Sequence, residues 1–503
     1  MSFRTSAEIH AEFARIGVVP TGLTADSRRV AAGDIFAAYP GYASDGRKFA
    51  GDAVARGAKA VLWEAGDGVP PPGLGVPCLA VEGLRALSGY LAHEIYGRPS
   101  ESLWLAGVTG TNGKTTVSQW LARALTDLGQ RCGVIGTLGA GFPDRLDDAV
   151  NTTPDAPALH RKLAQFREAG AVAAAMEVSS IGLDQGRVNG AKFDVAIFTN
   201  LTRDHLDYHG DMDAYALAKA RLFEQEGLAG HVLNLDDTFG LTLARRLAAR
   251  GDPVTGYTLV PSNAEALPAG QVLVAADLRT TVSGMRFTLL ADGQPWEMNV
   301  PLVARFNVSN LLAVVGALRV RGVPMTDALR VCGRLSAPAG RMQMVGGIGE
   351  PLVIVDYAHT PDALAKVLEA VQATARARGG RLVCVVGCGG DRDPGKRPLM
   401  GGVATEFAVR VVVTSDNPRS EDPEAIISAV VDGATAPVEQ QVDRAAAIAM
   451  AIAEAAPDDV VVIAGKGHEP YQEIQGRRYP FSDLEEARAG LAAWNRRFGG
   501  GEA

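Results

Sequence analysis

The feature that most constrains this chain is an apolar run ending in glycine, LWLAGVTGTNGKTTVSQWLARALTDLG (residues 103–129). LWLAGVTG reads as a strand feeding straight into a glycine loop. TTVSQWLARALTDLG then places apolar residues at helical spacing up to a glycine stop. Strand, loop and helix in that order form a β–α unit, the building block of parallel sheets buried on both faces. The same order makes an anion site, because Gly110, Gly113 and their neighbours offer backbone N–H groups beside a helix N-terminus. The usual phosphate loop is G-x-x-x-x-G-K-[ST], yet the position five before Gly113 is Val108. The stretch is either a nucleotide site with altered spacing or a glycine-rich turn carrying an exposed lysine. That GKTT follows a strand and opens a helix favours the nucleotide, with Lys114 on the outer phosphates and the Thr115 hydroxyl on Mg²⁺.

Similar units recur. Before Pro99, short apolar runs at 60–64 (AVLWE) and 77–81 (PCLAV) alternate with glycine-rich turns, LRALSGYLAHEIYG has helical periodicity, and GRPSES reads as a linker. Past the loop, AVAAAMEV (171–178), DVAIFTN (194–200) and HVLN (231–234) read as further strands of one α/β sheet. Residues 254–303 read as alternating short strands, an antiparallel insert. From about 336 the rhythm is β then α, with LVIVDYAH, RLVCVVG, VRVVVTS and DVVVIAG as strands of a doubly wound, Rossmann-like domain. The 503 residues therefore divide into 1–97, 98–335 and 336–503, as expected for domains of about 150 residues.

Composition excludes several classes. With 47% hydrophobic and 21% charged residues the chain has ample core, and a net charge of −8 without a basic run argues against nucleic-acid binding. Five scattered cysteines without metal spacing read as reduced thiols of a cytoplasmic protein. MSFRTSAEIHAEFARIG lacks an apolar signal core, and no apolar run approaches the ~20 residues of a membrane span. A cytoplasmic, unanchored protein is expected.

Two more stretches carry ligand-type residues. MEVSS (176–180) puts Glu177 at the end of an apolar strand, and NLTRDHLDYHGD (200–211) gathers polar residues just past another. One Glu and one His could complete an oxygen-rich Mg²⁺ shell around phosphates. Taken singly, His205 or His209 is more often a surface or hydrogen-bonded histidine than a ligand.

GTNGKTT, MEVSS, NLTRDHLDYHGD, YALAKARLF, FNVSN, DYAHTPD and GKGHE occur here in one order, and together they resemble the ATP-dependent Mur ligases of peptidoglycan synthesis, relatives of folylpolyglutamate synthetase. The resemblance runs from DSRRVAAGDIF to GKGHEPYQ. It implies a three-domain α/β fold: a UDP-binding N-terminal domain, a central P-loop-type ATPase domain and a C-terminal Rossmann-like domain that takes the amino acid. It implies that Gly110, Thr111, Asn112, Gly113, Lys114, Thr115 and Thr116 hold ATP, with Asn307, Arg341, Asp356 and His359 as further nucleotide contacts. Thr115 and Glu177 would bind one Mg²⁺ and His205 a second. Lys219, which plain reading makes an exposed helix lysine, matches a lysine that becomes N-carboxylated; a carbamate is an anionic metal ligand where an ammonium would repel the ion. Where many relatives read G-R-x-E, this chain has Gly340-Arg-Met-Gln343, so no role rests on Gln343.

DSRRVAAGDIFAAYPGYASDGRKF is similar to the N-terminal domain of the family members that add the third peptide residue. By that resemblance Ala25, Ser27, Tyr42, Ala43 and Ser44 meet the uridine diphosphate, while Asn151, Thr152, Thr153, Ser179, Gln185 and Arg187 hold the sugar and peptide. Residue by residue, NTTPD is equally a capped helix start and QGR a turn. Asp416, Asn417, Pro418 and Arg419 form the DNPR amino-acid selector, in which Arg419 offers a planar fork to the far carboxylate of meso-diaminopimelate. Arg392, Gly465 and Glu469 would hold the other end. The implied activity is ATP-dependent addition of meso-diaminopimelate to the D-glutamate γ-carboxylate of UDP-MurNAc-L-Ala-D-Glu through an acyl phosphate, with Lys114, Lys219 and His205 at the chemistry. The implied partners are these small molecules and two Mg²⁺ ions, for a monomeric enzyme.

Overall fold

The computed structural model describes residues 3–42, 44–66, 73–148, 151–268 and 270–498. Its contacts fall into two compact units, one of residues 1–258, 262–273 and 313–328, the other of residues 259–261, 274–312 and 329–503. Among the described residues no helix is long and apolar enough to cross a membrane. Cys132, Cys332, Cys384 and Cys388 are buried and Cys78 is half-buried, all as free thiols.

The first unit opens with a helix, Ser6–Arg15, held by a capping box between Thr5 and Glu8. Strands β1 (Gly22–Thr24), β2 (Asp34–Ala38), β3 (Ala60–Glu64) and β4 (Cys78–Val81) follow, pairing in parallel in that order. The next strands are β5 (Trp104–Thr109), β6 (Cys132–Gly136), β7 (Gly139–Phe142), β8 (Arg145–Asp147), β9 (Ala173–Glu177), β10 (Val195–Phe198), β11 (Gly230–Asn234) and β12 (Val254–Thr258). Their order in the central sheet is β12-β11-β10-β5-β9-β6-β7-β8. β5 is buried along its whole length, as a parallel strand covered by helices on both faces must be. Because β5 lies between β10 and β9, the loops leaving all three strands open at one sheet edge, and this places GTNGKTT, NLTRDH and MEVSS together. GRPSES is not a bare linker; Pro99 starts a short helix, Pro99–Ser102.

In the second unit β13 (Val272–Thr281), β14 (Gly284–Ala291) and β15 (Gln294–Val300) form the expected antiparallel ladder. The insert is narrower than the sequence suggested, because 254–258 pairs in parallel with β11. Then come β16 (Gln343–Gly346), β17 (Leu352–Asp356), β18 (Leu382–Cys388), β19 (Arg410–Ser415), β20 (Glu439–Gln441) and β21 (Val460–Ala464), ordered β16-β17-β21-β18-β19-β20. The sheet is parallel except for β16, an antiparallel edge strand that the βα rhythm did not reveal. Between the β18 and β19 ends and the β21 end sit the GCGGDRD, DNPR and GKGHE turns, the crevice where such folds gather ligands. A hairpin of β22 (Tyr471–Ile474) and β23 (Arg477–Pro480) follows.

One buried group makes the first unit pH-sensitive. His160, on the helix Ala156–Glu168, is fully buried with Nε2 at 2.9 Å from the Asn189 carbonyl oxygen, and burial pulls its pKa down to about 4. The unfolded histidine titrates near 6.5, so between those values only the unfolded chain takes the proton and stability is lost as pH falls. His160→Gln keeps an amide donor without the titration. Urea denaturation should show the wild type losing about 2 kcal/mol more than the variant between pH 7 and pH 5; parallel pH curves would contradict this account.

Candidate active site

β5 delivers the chain into the glycine loop with Gly110 at φ +147° and Gly113 at φ +86°, conformations that only glycine takes up readily. A Cβ on Gly110 would also run into Thr199 Oγ1. The end of β10 braces the loop: Thr199 Oγ1 donates to Asn112 O (2.6 Å), Asn112 N to Asn200 Oδ1 (3.0 Å) and Thr111 N to Asn200 O (2.8 Å). The helix Lys114–Asp127 starts without a side-chain cap, whereas Asp155 and Thr360 cap theirs. Its first-turn N–H groups therefore remain for an anion. Lys114 Nζ folds back over the loop, donating to the carbonyls of Gly110 and Thr111, both at 2.8 Å.

Glu177 ends β9, in register with Val108 of β5, and is 1% exposed. It accepts from Thr115 Oγ1 (3.0 Å), Thr137 N (2.7 Å) and Thr137 Oγ1 (3.2 Å). Among the described residues no Lys or Arg pairs with it. A buried carboxylate met only by neutral donors fits a site that a cation completes. Among the described residues no three His, Cys, Asp or Glu side chains gather as a metal cluster, so a Mg²⁺ held here would take its remaining ligands from phosphate oxygens and water, as that ion commonly does.

Lys219 corrects its plain reading. The helix Met212–Ala220 turns it inward, 1% exposed, with Nζ donating to Gly110 O at 2.9 Å and lying 4.4 Å from the Tyr215 ring centroid. Burial, reinforced by the Lys114 charge and opposed by Asp204, pulls its pKa down to about 6. His205 has a left-handed backbone (φ +51°) and a half-exposed ring whose Nε2 lies 3.5 Å from Asp204 Oδ2. It stands by the loop through Tyr215, whose hydroxyl is 3.2 Å from Thr111 Oγ1. His209 lies beside the same Tyr215 ring, 5.2 Å between centroids, with Nε2 at 3.0 Å from Ser180 Oγ.

In the same unit a cavity of about 270 Å³ is lined by Tyr42, Asn151, Gln185 and Arg187, together with Tyr39, Arg85, Ser88 and Asp155. Arg187 is braced by Gln185 Oε1 (2.7 Å) and Thr153 O (2.9 Å), and Thr153 Oγ1 in turn reaches Glu177 O and Ser179 Oγ. Thr152 Oγ1 lies 3.1 Å from Thr137 Oγ1. The expected sugar and peptide residues thus adjoin the Glu177 cluster. Ala25 packs on the N-terminal core, Ser27 starts a 3₁₀ turn capped by Asp26, and Ser44 O accepts from Gly41 N; none of the three is among the cavity residues. Ala43 lies outside the described residues. Sequence reasoning missed Arg85, whose guanidinium stacks 4.0 Å from the Tyr42 ring centroid; an arginine in an amphipathic helix carries no local signal.

The second unit holds the other candidates. Asp356 ends β17 with its carboxylate on the N–H groups of Met342 and Ala358, both at 2.8 Å. Its burial raises its pKa against the charge of Arg341. Arg341 lies 4.9 Å from the Tyr357 ring centroid, its Nε buried without an acceptor among the described residues. His359 is exposed, Nδ1 on Tyr357 O, and Asn307 is buried with Nδ2 on Val303 O. Gln343 acts locally, its Oε1 accepting from Gly340 N at 3.0 Å.

Most of the amino-acid candidates converge. Arg419 has φ +53°, its N–H on Glu473 O (2.9 Å), its carbonyl on Gln475 N (2.6 Å) and its Nη1 on Gly390 O (2.7 Å). Gly465 has φ +120°, and a Cβ there would meet Asp416 Oδ2. Asn417 Nδ2 donates to Glu469 Oε2 at 2.7 Å. Arg392 does not join them: it is exposed, and among the described residues its hydrogen bond goes to its neighbour's carbonyl, Asp391 O, at 3.5 Å. Pro418 is buried between Asn417 and Arg419. Lys466, missed in the sequence because GKGHE was read through Gly465 and Glu469, lies at the centre, wholly buried.

A glycine loop that leaves a helix N-terminus uncapped, beside a buried carboxylate and a buried lysine, on a chain that ends in a Rossmann-like sheet, is the arrangement of a nucleotide-dependent ligase. Family models agree: residues 20–88 match the Mur ligase family, catalytic domain, residues 108–318 the Mur ligase middle domain, and residues 340–467 the Mur ligase glutamate ligase domain. The chain belongs to the Mur ligase family and has its three-domain fold. A curated relative from Ectopseudomonas mendocina (strain ymp), named UDP-N-acetylmuramoyl-L-alanyl-D-glutamate--2,6-diaminopimelate ligase, is 52% identical over 483 residues, spanning 96% of this chain and 97% of its own. One of the same name from Pseudomonas aeruginosa is 52% identical, spanning 94% and 95%. A solved structure of a protein of that name is 38% identical with a TM-score of 0.69, covering 94% and 95% of the two chains. A MurF ligase from Thermotoga maritima in complex with ADP shares the fold at 17% identity, TM-score 0.63, covering 95% and 99%.

The Thr115–Glu177 bond gives a direct test. Thr115→Val keeps the shape and removes one donor from a buried carboxylate, so stability by urea denaturation should fall by about 1–3 kcal/mol. An unchanged midpoint would mean that Glu177 does not depend on Thr115.

Proposed function

We propose that this chain is the ATP-dependent ligase that joins meso-diaminopimelate to the D-glutamate γ-carboxylate of UDP-MurNAc-L-Ala-D-Glu. The observation that carries the choice of amino acid is Arg419, held in a left-handed backbone by Glu473 and Gln475 with its guanidinium across the mouth of the β18 loop. A planar fork so fixed suits the far carboxylate of diaminopimelate. Lysine would leave it unpaired, which a site built on hydrogen bonds rejects strongly. Near-full-length likeness to relatives named for this reaction supports the same reading.

In this reading residues 1–97 bind the UDP end, 98–335 ATP and 336–503 the amino acid. Gly110–Thr116 cradle the ATP phosphates, with Asn307, Arg341, Asp356 and His359 as further nucleotide contacts. Thr115, Glu177, His205 and carboxylated Lys219 would hold two Mg²⁺ ions, which neutralise charge on the phosphoryl group in transit. Ala25, Ser27, Tyr42 and Ser44 serve the uridine diphosphate, and Asn151–Thr153, Ser179, Gln185 and Arg187 the sugar and dipeptide. Asp416–Arg419, Arg392, Gly465 and Glu469 take the amino acid.

The γ-carboxylate oxygen attacks the γ-phosphorus of ATP, the bond to the β-phosphate oxygen breaks, and ADP leaves an acyl phosphate. Lys114, above the loop, neutralises the developing charge. The diaminopimelate amine attacks the acyl carbon, the amine loses a proton, and the tetrahedral intermediate expels phosphate to give the amide. The enzyme acts as a cytoplasmic monomer.

The test is phosphate release with ATP, Mg²⁺ and UDP-MurNAc-L-Ala-D-Glu, comparing meso-diaminopimelate with L-lysine. Release should require both substrates and favour meso-diaminopimelate. Arg419→Leu should lower kcat/KM for it by about 100-fold, the loss of one bidentate charged pair, with the KM for ATP unchanged. Equal turnover of lysine by the wild type would overturn the role of Arg419, and no release with either would overturn the assignment.

A further inference from the structure

The Lys466 ammonium is buried completely, yet the reaction above gives it no work. It donates to Asn417 Oδ1 at 2.9 Å and to Glu469 Oε2 at 3.2 Å, and lies 3.7 Å from Asp416 Oδ1. Withdrawing an ammonium wholly from water is costly unless such oxygens surround it. An ammonium only donates, so Asn417 must turn its carbonyl oxygen toward it and its amide nitrogen away. That nitrogen donates to Glu469 Oε2 at 2.7 Å, so two donors occupy this oxygen, and among the described residues nothing donates to Oε1. The same Asn417 Oδ1 takes the N–H of Glu473 at 2.9 Å, and Glu473 O takes the N–H of Arg419 at 2.9 Å. One cation thereby sets the acid at one end of the site and the backbone of the arginine at the other.

We propose that Lys466 is a positioning residue for amino-acid recognition, holding Asn417 so that Glu469 Oε1 faces a substrate ammonium while Arg419 stays aimed at the far carboxylate. It touches no substrate and acts through Asn417. The inference rests on the diaminopimelate reading for the identity of the amino acid, but not for the chain of contacts.

The test is steady-state kinetics of Lys466→Met in the full-length enzyme, each substrate varied in turn. The KM for meso-diaminopimelate should rise about tenfold or more, and preference over lysine should narrow by a similar factor, with the KM values for ATP and the nucleotide-sugar dipeptide within about twofold of wild type. A role confined to filling the core would lower the yield of active enzyme, and so apparent kcat, with every KM unchanged; that result overturns the proposal. Should Lys466→Met not fold, Lys466→Gln removes the charge while leaving a polar group in the buried position. It should show the same split, and an unchanged KM for the amino acid there overturns the proposal equally. Wild-type enzyme that ignores meso-diaminopimelate but turns over another amino acid would refute the substrate assignment alone, and the split is then read on that amino acid.

Discussion

The first unit's site depends on one carbonyl. Gly110 O accepts from the half-buried Lys114 at 2.8 Å and from the buried Lys219 at 2.9 Å, which brings two amines to one oxygen. Burial of Lys219 disfavours its ammonium form, the nearby Lys114 charge adds to that, and its pKa falls to about 6. Lys114 is the less buried of the two and, in the proposed reading, the cation that meets phosphate, while the buried Lys219 is shifted toward the neutral amine. Gly110 permits the arrangement because its φ of +147° and missing Cβ bring its carbonyl to both chains.

A neutral amine is a nucleophile, and that connects the geometry to the proposed metal site. Its attack on CO₂ forms an N–C bond and releases a proton, leaving a carbamate. Lys219 would then bear negative charge in the region where Glu177 meets only neutral donors, and the site would favour divalent cations. The second unit solves the opposite problem. There the buried Lys466 keeps its partners, Asn417, Glu469 and Asp416, close around it, and it orders them instead of reacting.

Much of this was legible in sequence because backbone requirements leave residue-level marks. Gly110 and Gly113 announce the loop, the apolar run before Glu177 marks a strand ending in a carboxylate, and the βα rhythm after 336 marks the strands of the Rossmann-like sheet. What stayed hidden depended on partners distant in sequence. Lys219 looks exposed on its own helix and is buried only because it meets Gly110, 109 residues earlier. Lys466 is meaningful only once Asn417 lies beside it. Arg85 joins the cavity through Tyr42, and β16 is set by pairing with β17 and not by its own pattern. Of the sequence-read uridine residues, Tyr42 reaches the described cavity, whereas Ala25, Ser27 and Ser44 do not.

The measurement that bears most directly on this account is ¹³C NMR of the protein equilibrated with ¹³C-bicarbonate, compared with Lys219→Ala. A protein-bound carbamate resonance present in the wild type and absent from the variant is the predicted result. A wild type without that resonance, or a variant that retains it, would contradict the claim that burial beside Lys114 turns Lys219 into the anionic ligand of the site.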